Sequence, residues 1–381
     1  MREFDAIVVG VGGMGSATAY HLARRGQRVL GLEQFDIPHD FGSSHGFTRI
    51  IRMAYAEGAG YVPLLLRAYA LWRELEMLAG ERLLHVTGCV DAGAPDSPAV
   101  RGSLATCRQF NLDHQVFDAD SLHARFPGYR FPKGMAAVLQ PDGGFLAPEA
   151  CVVNYVKAAQ GLGAEIQTRE HVTGWDASGG GVEVRTENES YRARSLVITA
   201  GAWTSRLCPE LAPLAIPERQ VVLWAQPLRP ALFQPGTFPV FNLEAPEGRF
   251  YGCPVFGVPG FKIGKYHHRR EKVDPDGVDR EIHPEDETVL REGIRRYFPD
   301  ADGPALAMKT CVFTNSPDEH FILDAHPEAD NVYIAAGFSG HGFKFASVVG
   351  EIMTDLVLDE GTKYANRLGM FRLARFQGKT G

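Results

Sequence analysis

The chain has 381 residues, of which 45% are hydrophobic and 22% charged, and its formal net charge is −7. That length favours two cores over one, and the composition is that of a soluble globular protein. No long basic run invites nucleic acid, and no stretch of about 18 apolar residues is present to cross a membrane.

Met1-Arg-Glu-Phe-Asp5 leads straight into an apolar run, with no signal-peptide pattern. Asp5 to Val9 predicts a buried strand. Gly10-Val-Gly12-Gly-Met-Gly15 follows at once, then a helix from about Met14 to Arg25 that Gly26 ends. Arg28 to Leu32 predicts a second strand, with Glu33 at its tip. This is the fingerprint of a site for the ADP half of a dinucleotide. Gly10 permits the tight turn, Gly12 admits the pyrophosphate, and Gly15 lets the helix pack close. The helix N-terminus offers N–H groups to the phosphates. Glu33 accepts from ribose hydroxyls and repels a 2′-phosphate, which points to NAD or FAD rather than NADP.

Further along, Tyr61 to Leu78 predicts an amphipathic helix. Ser195 to Trp203 and Asn331 to Gly337 are short apolar runs ending at glycine (Gly201 and Gly337), as strands pointing into a ligand crevice do. Helices are expected to begin near Trp203 and to run from about Gly342 to Asp355. Residues 84–145 and 216–300 have another texture. Alternation as in Arg219–Ala225 and Arg249–Pro254, with proline-rich turns such as Gln226–Pro230, predicts a mainly antiparallel sheet. Pro284 to Tyr297 predicts an acidic-capped helix. The expected fold class is α/β. A Rossmann-like dinucleotide domain is assembled from residues 1–83, 146–215 and 301–381, and a second α+β domain from 84–145 and 216–300. The six cysteines (89, 107, 151, 208, 253, 311) show no C-x-x-C pair and no zinc spacing. They predict reduced thiols, a cytoplasmic location and no metal site.

Four segments are more specific than the glycine fingerprint: Gly42-Ser-Ser-His45-Gly-Phe-Thr48-Arg49-Ile-Ile-Arg52-Met-Ala-Tyr55, Lys309-Thr-Cys311, Ser316 to Asp324, and Gly337-Phe-Ser-Gly-His-Gly-Phe-Lys344-Phe. Through them the chain resembles, over nearly its full length, the monomeric sarcosine oxidase and N-methyltryptophan oxidase group. These are FAD-dependent amine oxidases of the D-amino acid oxidase-like superfamily. The resemblance implies FAD rather than NAD, joined covalently to Cys311 through its 8α-methyl group. It implies oxidation of sarcosine or another secondary amino acid to an imine that hydrolyses to amine and aldehyde. O2 is then the acceptor, H2O2 a product and the protein a monomer. N-methyltryptophan, other N-substituted or cyclic amino acids, a dehydrogenase passing electrons to another protein, and a non-catalytic flavin-binding subunit are the alternatives.

The resemblance also implies residue roles. Arg52 and Lys344 grip the substrate carboxylate, and Arg49 and His45 lie near the reacting centre. Lys262 activates oxygen, and Tyr55 and Tyr251 line the substrate cavity. Ser43, Thr48, Gly201, Gly340, Gly342 and Lys344 join Gly10, Gly12, Gly15, Glu33 and Cys311 along the cofactor. Without the resemblance, Cys311 reads as a buried hydrophobe, the arginines as surface ion pairs, Lys262 as a solvated lysine and the tyrosines as core. The chain departs from the family pattern twice. The family histidine four positions after the lysine is Tyr266 here, and a one-residue insertion assigns that place to His267. Phe313 stands where the family carries tyrosine, which makes the pocket less polar.

Overall fold

The structure is a computed structural model that describes residues 2–178, 180–362 and 364–376. Ala6 to Val9 are all buried, without alternation. A strand covered on both faces of a parallel sheet requires that. Arg2–Val9 pairs in parallel with Val29–Leu32 on one side and Ser190–Ile198 on the other. Glu165–Gln167 and Ala329–Ala336 extend the parallel core, and antiparallel strands complete an eight-stranded sheet. Val9 lies opposite both Leu32 and Ile198, so the carboxyl ends of the central strands fall level. In such sheets, ligands bind in the crevice beyond those ends.

Helices Gly13–Arg24, Val62–Ala79, Pro148–Gly161 and Ala346–Val357 share one apolar core against this sheet. The long amphipathic helix is therefore one residue displaced from its expected span, and Gly80, at φ 64°, ends it. No helix among the described residues is long and apolar enough to cross a membrane.

The second sheet has nine strands. Ile216–Ala225, Phe261–Lys265, Gly248–Cys253 and Val240–Ala245 are successive antiparallel neighbours. One parallel pair, Val240–Ala245 with Cys89–Gly93, carries the sheet into the first inserted segment. Pro284–Tyr297 and a cluster of buried phenylalanines, among them Phe238, Phe241, Phe261 and Phe298, cover one face. The boundary expected at 301 does not coincide with the sheets. Ala305–Asn315 pairs along the whole of Ile216–Ala225, with Cys311 opposite Gln220. The apolar run around Cys311 satisfies its backbone there, in the antiparallel sheet, rather than in the parallel one. A three-stranded sheet of Arg49–Ile51, Gly144–Leu146 and Leu84–Val86 lies between the two larger ones in the chain order and holds the segment after Arg49 in place.

Candidate active site

A crevice of about 1300 Å³ lies at the carboxyl ends of the parallel strands, lined by Gly10, Gly12, Glu33, Ser43, Gly201 and Gly342 among others. Gly10 has φ 88°, and a Cβ there would stand 2.7 Å from the Thr199 carbonyl oxygen. Gly15 lies behind the wall, where a Cβ would meet the Gly10 carbonyl oxygen at 1.8 Å, so only glycine lets the helix sit on the turn. The helix has no side-chain N-cap; Ser44 Oγ accepts from the Gly13 N–H at 3.2 Å. Glu33 accepts from the N–H of Val11 (2.8 Å) and of Phe35 (3.1 Å). The carboxylate is thus fixed at the strand tip. A tight turn, a helix start without a side chain at its own N-cap and a fixed acidic side chain fit the ADP half of FAD.

A second cavity of about 870 Å³ shares Arg49, Phe313, Gly340 and Phe343 with the first. One wall is the face of the nine-stranded sheet. Arg249, Tyr251 and Cys253 alternate along one strand and all line the cavity, as a period of two requires. Lys262 lies opposite Cys253, and Gly264 lies opposite Tyr251. A Cβ at Gly264 would fall 2.5 Å from the Tyr251 ring, so that glycine gives the tyrosine its room. Cys311 and Phe313 reach the same cavity from Ala305–Asn315. The other wall brings His45, Thr48, Arg49, Arg52, Gly340 and Lys344.

The electrostatics are dominated by buried cations. Lys262 Nζ donates to Gly46 O (2.7 Å), Thr48 O (3.1 Å) and Thr48 Oγ1 (3.0 Å). Burial, with Arg49 adding repulsion, lowers its pKa to about 8. Lys344 Nζ donates to His341 O at 2.7 Å, and burial, then the Arg52 charge, lowers its pKa to about 7. Arg52 is 2% exposed. Its Nη2 donates to Glu57 Oε2 at 2.8 Å, and its Nε stands 3.2 Å from Asp91 Oδ1 without hydrogen-bond alignment. Glu57 also accepts from Arg249. Burial opposes ionisation of Glu57, yet Arg52 and Arg249 hold its carboxyl well below the usual carboxylate range.

His45 Nε2 faces the carbonyl oxygen of Gly42 at 3.1 Å. A carbonyl only accepts, so Nε2 carries the proton and Nδ1 is a bare acceptor. Nδ1 is buried and has no hydrogen-bond partner among the described residues. Burial, reinforced by Arg49, lowers the ring's pKa to about 3, so it is neutral. An orphaned buried acceptor in a cation-rich wall fits a bound group that presents an N–H or O–H. Burial pushes the Cys311 thiol up, while Arg49 and Lys262 pull in the other direction.

Two expectations need correction. His267 is not in the cavity wall. Its ring nitrogens are held by Glu218 (2.9 Å) and Glu319 (3.0 Å), and these two hydrogen bonds raise its pKa to about 9. Tyr266 lines the wall instead. Tyr55 is fully buried behind the wall, as a platform: its ring lies 4.9 Å from the Arg52 guanidinium and 5.2 Å from Lys344 Nζ. The Tyr55 hydroxyl meets His341 Nδ1 at 2.6 Å. The sequence reading missed Glu57, Asp91, Arg249 and His341. Glu57 had no motif around it, but its place five residues after Arg52 was a usable signal. Arg249 was legible as the same-face neighbour of Tyr251. A trio of ligand-type atoms from Cys208, Glu210 and His326 lies within 4.8 Å, outside both cavities. His326 Nε2 and Glu210 there form an ion pair at 2.6 Å.

Residues 5–356 match the family described as FAD dependent oxidoreductase. The chain is 41% identical to monomeric sarcosine oxidase of Bacillus sp. (strain B-0618), over 95% of this chain and 94% of that protein. It is 37% identical to the peroxisomal sarcosine oxidase of Homo sapiens, over 98% and 96%. It is 34% identical to N-methyl-L-tryptophan oxidase of Yersinia pestis (strain Pestoides F), over 98% and 100%. Among solved structures, the unusual amino acid oxidase NikD superposes with a TM-score of 0.85 at 25% identity, covering 98% of each chain. L-proline dehydrogenase from P.horikoshii shares the fold, with a TM-score of 0.83 at 21% identity, again covering 98% of each chain. With the dinucleotide crevice and the cation-lined cavity abutting it, these likenesses make the chain a member of the FAD-dependent oxidoreductases, in the group of the sarcosine and N-methyltryptophan oxidases.

Proposed function

We propose that the protein oxidises secondary amino acids, N-methyl amino acids such as sarcosine among them, with O2 as acceptor. The observation that carries the reading is the cavity of about 870 Å³. It gathers Arg52, Lys344, Arg49 and His45 on one wall and Lys262 and Cys311 on the other, next to the dinucleotide crevice. Bound FAD supplies the two-electron oxidation of the amine to an imine, which water hydrolyses, and the reduction of O2 to H2O2.

The chain's own residues bind and polarise. Arg52 takes the substrate carboxylate in its planar fork as it exchanges Glu57 for the ligand, and Lys344 adds a point charge. The reacting amine is neutral, because an ammonium has no lone pair to release. Arg49, Arg52 and Lys344 favour that neutral form by repulsion. His45 Nδ1 is free to accept an N–H. Lys262 keeps a fixed positive charge where oxygen reduction develops negative charge. Cys311 is the attachment point of an 8α-S-cysteinyl link, for which the thiolate is needed and which Arg49 and Lys262 favour. The protein acts as a cytoplasmic monomer. All six cysteines are free, and several relatives are named monomeric.

An oxygen electrode and a peroxide assay with a panel of N-methyl amino acids test the reading. Consumption of O2 matched by H2O2 and aldehyde is expected. Flavin that is reduced by these amines but stays reduced in air would instead favour a dehydrogenase. Flavin that no amine reduces would leave a flavin-binding subunit. The covalent link is tested separately by acid precipitation: colour stays with the wild-type polypeptide and leaves it in Cys311→Ser.

A further inference from the structure

Resting on that reading, we propose that the preferred substrate carries a second carboxylate, received by Arg249: an N-substituted amino dicarboxylic acid. Arg249 lines the same cavity as Arg52 and Lys344. Its guanidinium lies 5.0 Å from the centroid of the Tyr266 ring, and its Nη2 donates to Glu57 Oε1. The Tyr266 hydroxyl is itself tied to the Ser339 carbonyl oxygen. Aromatic platform and carboxylate together hold a long side chain in one orientation, so little rotamer freedom remains to be lost when a ligand binds.

Charge and donor count then point to a second anion. Glu57 is one carboxylate shared between two guanidiniums, with Oε2 on Arg52 and Oε1 on Arg249. When a substrate carboxylate takes the place of Glu57 on Arg52, Arg249 still holds Glu57 through Nη2 alone. Among the described residues, Nη2 is the only side-chain nitrogen of Arg249 with a hydrogen-bond partner. The remaining N–H groups of a planar fork match a carboxylate. A methyl group or an indole placed against them would desolvate donors without replacing their bonds, which is costly. Phe313, also in this wall, offers no hydroxyl. Arg249 is a cation of this wall whose planar fork suits an anionic substituent. The second carboxylate can sit on the side chain, as in N-methylaspartate, or on the nitrogen substituent, as in iminodiacetate. Both present the same chemistry to the arginine.

The test is calorimetric titration of the holoenzyme with ethers that cannot be oxidised as amines. Methoxyacetate has one carboxylate, methoxysuccinate carries a second on the side-chain arm, and diglycolate carries it on the other arm. One of the dicarboxylates is expected to bind about 10- to 100-fold tighter than methoxyacetate, the gain of a charge-assisted fork. Which of the two binds tighter identifies the arm. In Arg249→Met the ratio is expected to fall towards one. Equal binding of all three ethers by the wild type overturns the proposal without any variant. A preference that survives Arg249→Met overturns it too. Anaerobic bleaching separates the two levels. If N-methylalanine bleaches the flavin and the ethers bind equally, this proposal falls and the oxidase reading stands. If no N-methyl amino acid bleaches it, with one carboxylate or two, both fall.

Discussion

Lys262 gives all three of its ammonium protons to neutral acceptors, and Thr48 supplies two of them, its hydroxyl at 3.0 Å and its carbonyl at 3.1 Å. Gly46 O takes the third at 2.7 Å, and the Trp224 ring lies 5.2 Å away. No carboxylate among the described residues pairs with it within ion-pair distance. The charge is therefore fixed in place and left unneutralised, so it acts on a neighbour through space.

Lys262→Met should therefore slow reoxidation of reduced enzyme by O2 about 100-fold or more, the scale of losing one preorganised electrostatic group. Anaerobic reduction by substrate should change far less. The pKa near 8 sets the pH response. The ammonium is charged below about pH 8 and neutral above it, so wild-type reoxidation should fall as pH rises through that value. Stopped-flow reoxidation at pH 6 to 10 reads both effects, and a variant that slowed only the reductive half would contradict the assignment.

Arg52 is buried between two carboxylates, Glu57 and Asp91. Arg52→Met should lower kcat/KM by about 100-fold, because one fork-shaped carboxylate contact is lost. It should also lower stability by about 3 kcal/mol, since Glu57 and Asp91 then face each other without it. Denaturant unfolding and steady-state kinetics measure the two losses. A variant with normal KM for every amine would remove Arg52 from the binding role.

Lys344 has a pKa near 7, lowered by burial and by Arg52. It is charged below that pH and loses its proton above it. Binding of methoxyacetate, which has no amine to titrate, should accordingly weaken as pH rises from 7. The limit is about tenfold per unit. Lys344→Met should bind weakly at every pH, with a flatter profile. A wild-type profile flat from pH 6 to 9 would contradict a carboxylate contact at this residue.

His267 belongs to stability rather than to the cavity. Its pKa is raised from an ordinary 6.5 to about 9 by Glu218 and Glu319. The native state thus holds a proton that the unfolded chain releases, and the stabilisation is complete below about pH 6.5. It is lost as pH rises through 9. With Glu319 half exposed, about 1–2 kcal/mol is expected. The melting-temperature gap between wild type and His267→Gln should be wide at pH 6 and closed at pH 9.5.

The sequence made the dinucleotide half legible because its physics is local. Gly10, Gly15 and Glu33 answer constraints set within one strand, one turn and one helix. The second cavity is assembled from strands that are far apart in the chain, so it was legible only where a motif survived intact, as around Arg49 and Lys344. Arg249 stood in a stretch read only as an alternating strand, because nothing local says which face of such a strand a cavity occupies. Ala305–Asn315 read as part of the first domain because its pairing with Ile216–Ala225 is non-local. His267 was drawn into the site by counting from Lys262. The left-handed φ of 54° at that residue belongs to the turn that carries its ring to Glu218 and Glu319, while Tyr266 faces the cavity.

On the proposed function, a secondary amino acid held in this cavity gives two electrons to FAD, and O2 takes them away. Anaerobic mixing of the yellow holoenzyme with N-methyl amino acids, followed by admission of air, measures both halves in one cuvette. Flavin absorbance should be lost with at least one of these amines and should return promptly with one H2O2 per flavin. Absorbance that none of them diminishes, or that does not return in air, would contradict the proposed function.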